Sequence, residues 1–432
     1  MRKILLGTTA VVGLALAAPA AFAQGVAPGS GTQGATLTPA PAPSIAGAGG
    51  LTVRLGGYFE FSAASIQDDN DRAARVSLGD GKARQRTDFR NDAELYVFVD
   101  GRAANGMQYG AVFDFQMDNV ANTTVDMDEL YGYIKGSWGE LRFGQEDSAA
   151  SLLIVRAPAA GALGGDAVWD EFIMQRGLFS GPYLTSGIND GNDATKIVYL
   201  SPQFFGFDFG VSYAPNGNEG ERVDVGATAN VAQRDRTTLE NEISIAARYR
   251  GTFSGVGLQL GAGAMFADAP ANAVPTGGTT ATTKTDLESV NAYFFGAQVA
   301  AFGFALGGEY AFGRYNGSSV GRNAVAKGLD DSSHWLVGAT YTLGSVVLGA
   351  VYGNGTQDNG GNVKDRDHTV WGIGALYTLA PGLGLYAAYN SISDENIPTA
   401  APTSAGATLA TFKGTSTTRN IDVLMAGIRL AF

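Results

Sequence analysis

The sequence predicts an all-β protein, a transmembrane antiparallel β-barrel of about sixteen strands, and three observations predict it. Apolar and polar side chains alternate with a period of two in run after run from residue 51 to residue 432. The connections between those runs are short and long in turn. An export signal opens the chain, and after it no apolar run of about 18 residues occurs that would make a helical span.

Composition narrows the classes further. The 432 residues contain no cysteine and two histidines, His334 and His368, which excludes disulfides, thiolate chemistry and Cys-ligated metals. With 29 Lys and Arg against 41 Asp and Glu there is no basic face for nucleic acid. Glycine, 61 residues, is about twice its usual share, in keeping with many turns and closely packed strands. No nucleophile elbow, phosphate loop or zinc-protease motif is present, and the carboxylates Asp92 and Glu94 share a face only as acids of a polar strand. No enzyme is expected, and no cofactor.

Residues 1–23 read as a signal peptide. Arg2 and Lys3 precede an apolar stretch, and Ala21, Phe22 and Ala23 form the small-residue cleavage site before Gln24. Loss of the two cations takes the formal charge from −12 to −14. Residues 24–50 hold no charged side chain and are rich in Ala, Gly, Pro, Ser and Thr; they predict a flexible arm, because such a segment buries too little apolar area to offset its ordering entropy.

The barrel is expected over residues 51–432. In the first strand Leu51, Val53, Leu55, Phe59 and Phe61 oppose Thr52, Arg54 and Glu60. In the second, Phe89, Ala93, Leu95, Val97 and Val99 oppose Asp88, Arg90, Asp92 and Glu94. The same pattern returns in Phe207, Phe209, Val211 and Tyr213, in Trp335, Val337, Ala339 and Tyr341, and in the last strand through Leu424, Ala426, Ile428 and Leu430 to Phe432. Each run is about ten residues, the length of a tilted membrane strand. A soluble sandwich shows the same period, so an exported binding or adhesion protein is the alternative from another class. The connections favour the barrel: tight at 103–106, 301–303, 344–345 and 381–382, long and polar at 67–86, 216–238, 268–286 and 391–418. Short periplasmic turns and long extracellular loops are the pattern of outer-membrane barrels.

Three segments resemble the Gram-negative general porins, closest to the alphaproteobacterial type: Ile428-Arg429-Leu430-Ala431-Phe432 at the end, the strand-turn-strand from Tyr131 to Gln145, and the piece from Thr195 to Tyr213. The resemblance implies an outer-membrane location in a Gram-negative bacterium, a homotrimer in contact with outer-membrane lipid and lipopolysaccharide, and a water-filled channel for passive diffusion of small hydrophilic solutes and ions. It also implies that Phe432 is an assembly signal and that the third loop, residues 146–193, folds into the lumen as a constriction. On that loop stand Asp147, Asp166, Asp170, Glu171, Asp190 and Asp193; on the polar faces of their strands stand Arg54, Arg90 and Arg142. Acid on the loop against base on the wall would set a transverse field, and the acidic balance predicts a mild cation preference. The loop's Leu152, Leu153, Ile154, Val168, Trp169, Phe172, Ile173 and Met174 predict that part of it packs against the wall. A substrate-specific channel for a sugar or dicarboxylate is the nearer alternative. Asp68, Asp69 and Asp71 are a weak candidate Ca²⁺ site without EF-hand spacing, as are the acids between Asn189 and Asp193.

Overall fold

The structure, a computed structural model, describes residues 44–46, 50–71, 85–117, 125–163, 169, 172–173, 194–217, 239–269, 287–315, 325–326, 331–358, 364–397 and 417–432. Sixteen of the described strands make one barrel. The first eight are β1 (Thr52–Asp68), β2 (Thr87–Arg102), β3 (Gln108–Gln116), β4 (Asp126–Gly136), β5 (Gly139–Gln145), β6 (Thr195–Leu200), β7 (Phe207–Asn216) and β8 (Glu240–Phe253). The others are β9 (Val256–Asp268), β10 (Val290–Ala301), β11 (Phe304–Arg314), β12 (Ser332–Leu343), β13 (Val346–Gln357), β14 (Arg366–Ala380), β15 (Leu383–Ile397) and β16 (Thr417–Ala431).

Each strand pairs antiparallel with its neighbours in sequence, and β16 pairs with β1, so the sheet closes on itself. The seam is finished by Phe432, whose N–H donates to Gly57 O and whose carbonyl accepts from Gly57 N, both at 3.0 Å. Closure satisfies every edge, the condition for a sheet to sit in hydrocarbon. Ser44–Ala46, within the segment read as an arm, pairs with Thr52 to Arg54 on β1.

The direction of burial decides between barrel and sandwich. On β7, Phe207, Phe209, Val211 and Tyr213 are exposed while Asp208 and Ser212 are buried; on β1, Phe59 and Phe61 are exposed while Glu60 and Ser62 are buried. Apolar residues face outward and charged ones inward, the reverse of a soluble sheet pair. The alternative of an exported β-sandwich is thereby corrected.

Strand lengths depart from the ten residues that alternation predicts. β1 has 17 residues and β14, β15 and β16 have 15 each, because only the lipid-facing part must alternate with apolar residues and the ladder continues beyond it. On one side the wall is low: β5 has 7 residues and β6 has 6. Seven residues rise about 23 Å along the strand and roughly 18 Å after tilting, less than the ~25 Å apolar band of such barrels.

At the end opposite the long loops five of the seven connections are two-residue turns, the others being 103–107 and 201–206. At the β10–β11 turn Phe302 has φ 54° and Gly303 φ 84°, the pairing of a type I′ hairpin, where Asn-Gly fits best and a bulky first residue is strained. Phe302 is almost fully exposed and regains little by packing within the chain. Phe302→Asn is expected to stabilise the barrel by about 0.5–1 kcal/mol, read as a higher temperature for the mobility shift of the folded band in electrophoresis. A lower temperature would mean that the ring anchors the rim in the membrane interface.

Candidate functional site: a strap inside the barrel and a charged wall

After β5 the chain turns inward instead of outward. Ser148 caps the short helix α1 (Ala149–Leu152), its Oγ accepting from Ser151 N at 3.3 Å. The helix is docked by wall hydroxyls: Ala149 N donates to Ser212 Oγ on β7 at 3.0 Å, and Ala150 N donates to Ser244 Oγ on β8 at 2.9 Å. Residues 153–163 then run round the inside as an extended strap. Gln298 Nε2 on β10 donates to Arg156 O at 2.9 Å, Ala157 N donates to Glu309 Oε2 on β11 at 2.9 Å, and Asn390 Nδ2 on β15 donates to Ala162 O at 3.0 Å. Strap backbone that has left the sheet thus finds partners in wall side chains, as buried peptide groups must.

The strap is apolar because it faces the wall, and the wall beneath it is apolar in turn. Leu152, Leu153 and Ile154 pack with Val198, Leu200, Ala246, Met265 and Phe294. Further along, Trp169, Phe172 and Ile173 pack with Tyr58, Ile66, Val423 and Met425 of β1 and β16. The expected packing of the loop hydrophobics is therefore found for these six; Val168 and Met174 lie outside the described residues.

The opposite arc carries charge. Besides Asp68 at the loop end of β1, which Arg419 holds, nine acids are buried on the inner face of β1–β5 and at the strap's root: Glu60, Asp92, Glu94, Asp114, Asp128, Glu129, Glu140, Glu146 and Asp147. Against them stand Arg90, Arg142 and Lys196, with Arg429 reaching over the Tyr58 ring from β16 at 4.1 Å. A bulge adds to the acids. β3 and β4 pair Phe113 with Leu130 and then Phe115 with Met127, so one extra residue sits on β4 and the consecutive acids Asp128 and Glu129 both point inward beside Asp114. Tyrosines hold this layer: Tyr386 OH donates to Glu60 Oε1 at 2.6 Å, and Tyr58 OH lies 3.1 Å from Glu94 Oε1 and 3.2 Å from Asp92 Oδ2.

Arg142 and Asp147, two of the residues singled out in the sequence, both lie at the strap's root, where Arg142 holds Glu146 beside Asp147. Arg142 Nε donates to Glu140 Oε1 at 2.7 Å and its Nη1 to Glu146 Oε2 at 2.9 Å, with the guanidinium 5.0 Å over the Tyr131 ring. Lys196 Nζ donates to Glu146 O, and Asp147 Oδ2 accepts from Ser151 Oγ at 3.2 Å. Arg90 is buried on β2. Arg54 stands apart, near the short-turn end, where its Nε donates to Asp100 Oδ2 at 2.6 Å and its guanidinium lies 4.6 Å over Phe98. Asp166, Asp170, Glu171, Asp190 and Asp193 lie outside the described residues. Alternation places Asp114 on the polar face of its strand but did not single out Asp128 and Glu129 beside it; the adjacent pair of acids inside a strand pattern was the available signal.

Of the calcium candidates, Asp68 receives Arg419 Nε at 2.8 Å and Nη2 at 2.5 Å, and Asp69 Oδ2 receives Asn420 N at 2.9 Å. Among the described residues no group of three or more acid or imidazole side chains is arranged to hold a metal ion.

A profile of Gram-negative porins matches residues 7–397, nine-tenths of the sequence. The chain belongs to this family. The porin is an outer-membrane channel for passive diffusion, with the fold and family of a channel rather than an enzyme. Solved structures share its fold at low identity. An anion-selective porin from Comamonas acidovorans is 15% identical with a TM-score of 0.51, the match covering 88% of this porin and 100% of that chain. The trimer form of OmpT, an outer membrane protein of Vibrio cholerae, is 13% identical with a TM-score of 0.52 over 89% and 100%. The outer membrane channel DcaP of Acinetobacter baumannii is 12% identical with a TM-score of 0.55 over 90% and 99%. Among curated proteins none matches the porin.

Proposed function

We propose that this porin passes small hydrophilic solutes and ions by size, with a preference for cations, and that it works as a homotrimer. The observation that carries the preference is the charged arc: nine buried acids on β1–β5 and at the strap's root, against Arg90 and Arg142 on those strands and Lys196 and Arg429 on the flanking β6 and β16. Fixed negative charge within a low-dielectric wall concentrates cations and repels anions at the narrow level. The likeness to the anion-selective porin is one of fold and carries no ion preference. Arg90 and Arg142, with Asp147 and the acids of β2–β4, are the constriction residues in this reading, whereas Arg54 serves the periplasmic mouth.

The low wall at β5 and β6 supports the trimer, because a strand too short for the apolar band needs a protein neighbour rather than lipid beside it. The taller strands would meet lipid and lipopolysaccharide through their outward aromatics. Residues 1–23 serve as the export signal, 24–50 as an arm, and Phe432 as the assembly signal that closes the seam. Liposome swelling tests the diffusion clause: rates are expected to fall smoothly with solute size for sugars and amino acids alike. One solute entering far faster than others of its size would instead support a substrate-specific channel.

A further inference from the structure

Under the strap the wall is made of glycine. Gly261, Gly296, Gly307, Gly338, Gly349 and Gly374 stand one per strand on the six consecutive strands β9 to β14. They pair directly as Gly261 with Gly296, Gly307 with Gly338, and Gly349 with Gly374. Between pairs the line steps by two residues towards the short turns, since Gly296 faces Glu309 rather than Gly307, and Gly338 faces Val351 rather than Gly349. Strands tilted by about 40° shift a level ring by roughly one residue per strand in a constant direction. The six positions therefore form a level trough around the inside of the barrel.

At five of these positions a Cβ would occupy the strap's place, and at Gly307 it would meet Ala297 O of β10 at 2.5 Å before Pro158 Cδ of the strap at 3.0 Å. At Gly261 it would meet Val155 Cγ2 at 2.8 Å, at Gly349 the Ala160 nitrogen at 2.9 Å, and at Gly374 the Ala160 carbonyl oxygen at 2.7 Å. At Gly296 and Gly338 it would land on the carbonyl oxygens of Val155 and Pro158. Away from the strap the same face of β9 does not demand glycine. At Gly257, four residues nearer the short turn on β9, the nearest atom to an added Cβ is 3.6 Å away. Glycine weakens a strand by about 0.5–1 kcal/mol, and at five of the six positions the close approach of the strap accounts for it.

We propose that this trough is the positioning element of the constriction: it seats the strap one side-chain layer closer to the wall and so sets the width and steadiness of the pore. The inference rests on the channel function but not on its ion preference. The test is a substitution cycle read by single-channel conductance in symmetrical salt, where ion preference plays no part, on barrels first shown to be folded by their heat-modifiable mobility. Gly261→Ala and Gly296→Ala are each expected to change the open-channel conductance by about twofold and to add flicker, while Gly257→Ala leaves it unchanged. Val155→Gly removes the side-chain atoms that Gly261→Ala would strike, and so restores the conductance of that variant; it cannot restore Gly296→Ala, which strikes the Val155 carbonyl oxygen. Wild-type conductance in folded Gly261→Ala and Gly296→Ala would overturn the proposal, as would equal rescue of both by Val155→Gly. If Gly296→Ala does not fold, the Gly261 and Val155 cycle decides alone.

Discussion

Arg142→Leu is expected to destabilise the barrel by about 3–5 kcal/mol, seen as a fall in the temperature at which the folded band disappears. The guanidinium is buried and holds two carboxylates, Glu140 on its own strand and Glu146 at the root of the strap. Removing it leaves Glu146 desolvated without its guanidinium and Glu140 with Lys135 alone at 3.0 Å, which costs more than the pair itself contributes. Because Glu146 begins the strap, the same change should loosen the strap's root and add current noise. The double variant Arg142→Leu with Glu146→Gln removes one orphaned charge and should recover part of the loss; a double variant no better than the single would place the effect in lost packing against Tyr131.

The second large effect is on selectivity. Replacing Asp114 and Asp128 by Asn and Glu129 by Gln changes no volume but removes three of the nine inward acids, those gathered at the β4 bulge. A change of about 0.5 kcal/mol per unit charge in lumen potential acts oppositely on cation and anion and so alters their permeability ratio roughly fivefold, and the triple variant is expected to lose that much. Arg54→Gln should leave the ratio nearly unchanged, since Arg54 is half-exposed and paired with Asp100 near the short-turn end. A triple variant with the wild-type ratio would move the filter to another part of the lumen.

The barrel was legible in the sequence where only one face of a strand is buried in water-facing charge. Phe207 to Tyr213 shows its alternation plainly because outward Phe and inward Asp or Ser have opposite chemistry. β10 does not, since Val290, Ala292 and Phe294 point inward to the strap while Phe295 and Val299 point out to lipid. A strand apolar on both faces has no period of two to read. The strap explains this, and the glycines opposite it were counted in the sequence but not placed.

Of the site, the strand faces were legible and the heights were not. Parity put Arg54, Arg90 and Arg142 on polar faces, yet parity says nothing of distance along the barrel axis, and Arg54 stands at one end. Simple alternation would turn one of Asp128 and Glu129 outward; the bulge on β4 turns both inward, and a bulge shifts register without a sequence marker as clear as a Pro or Gly. The acid excess of the whole chain thus became an acidic wall on strands rather than a property of the loop alone.

The zero-current potential across a planar bilayer holding the porin between concentrated and dilute potassium chloride tests the central claim most directly. With the acidic wall controlling passage, potassium crosses faster than chloride and the dilute side becomes positive. A dilute side that becomes negative would contradict the account.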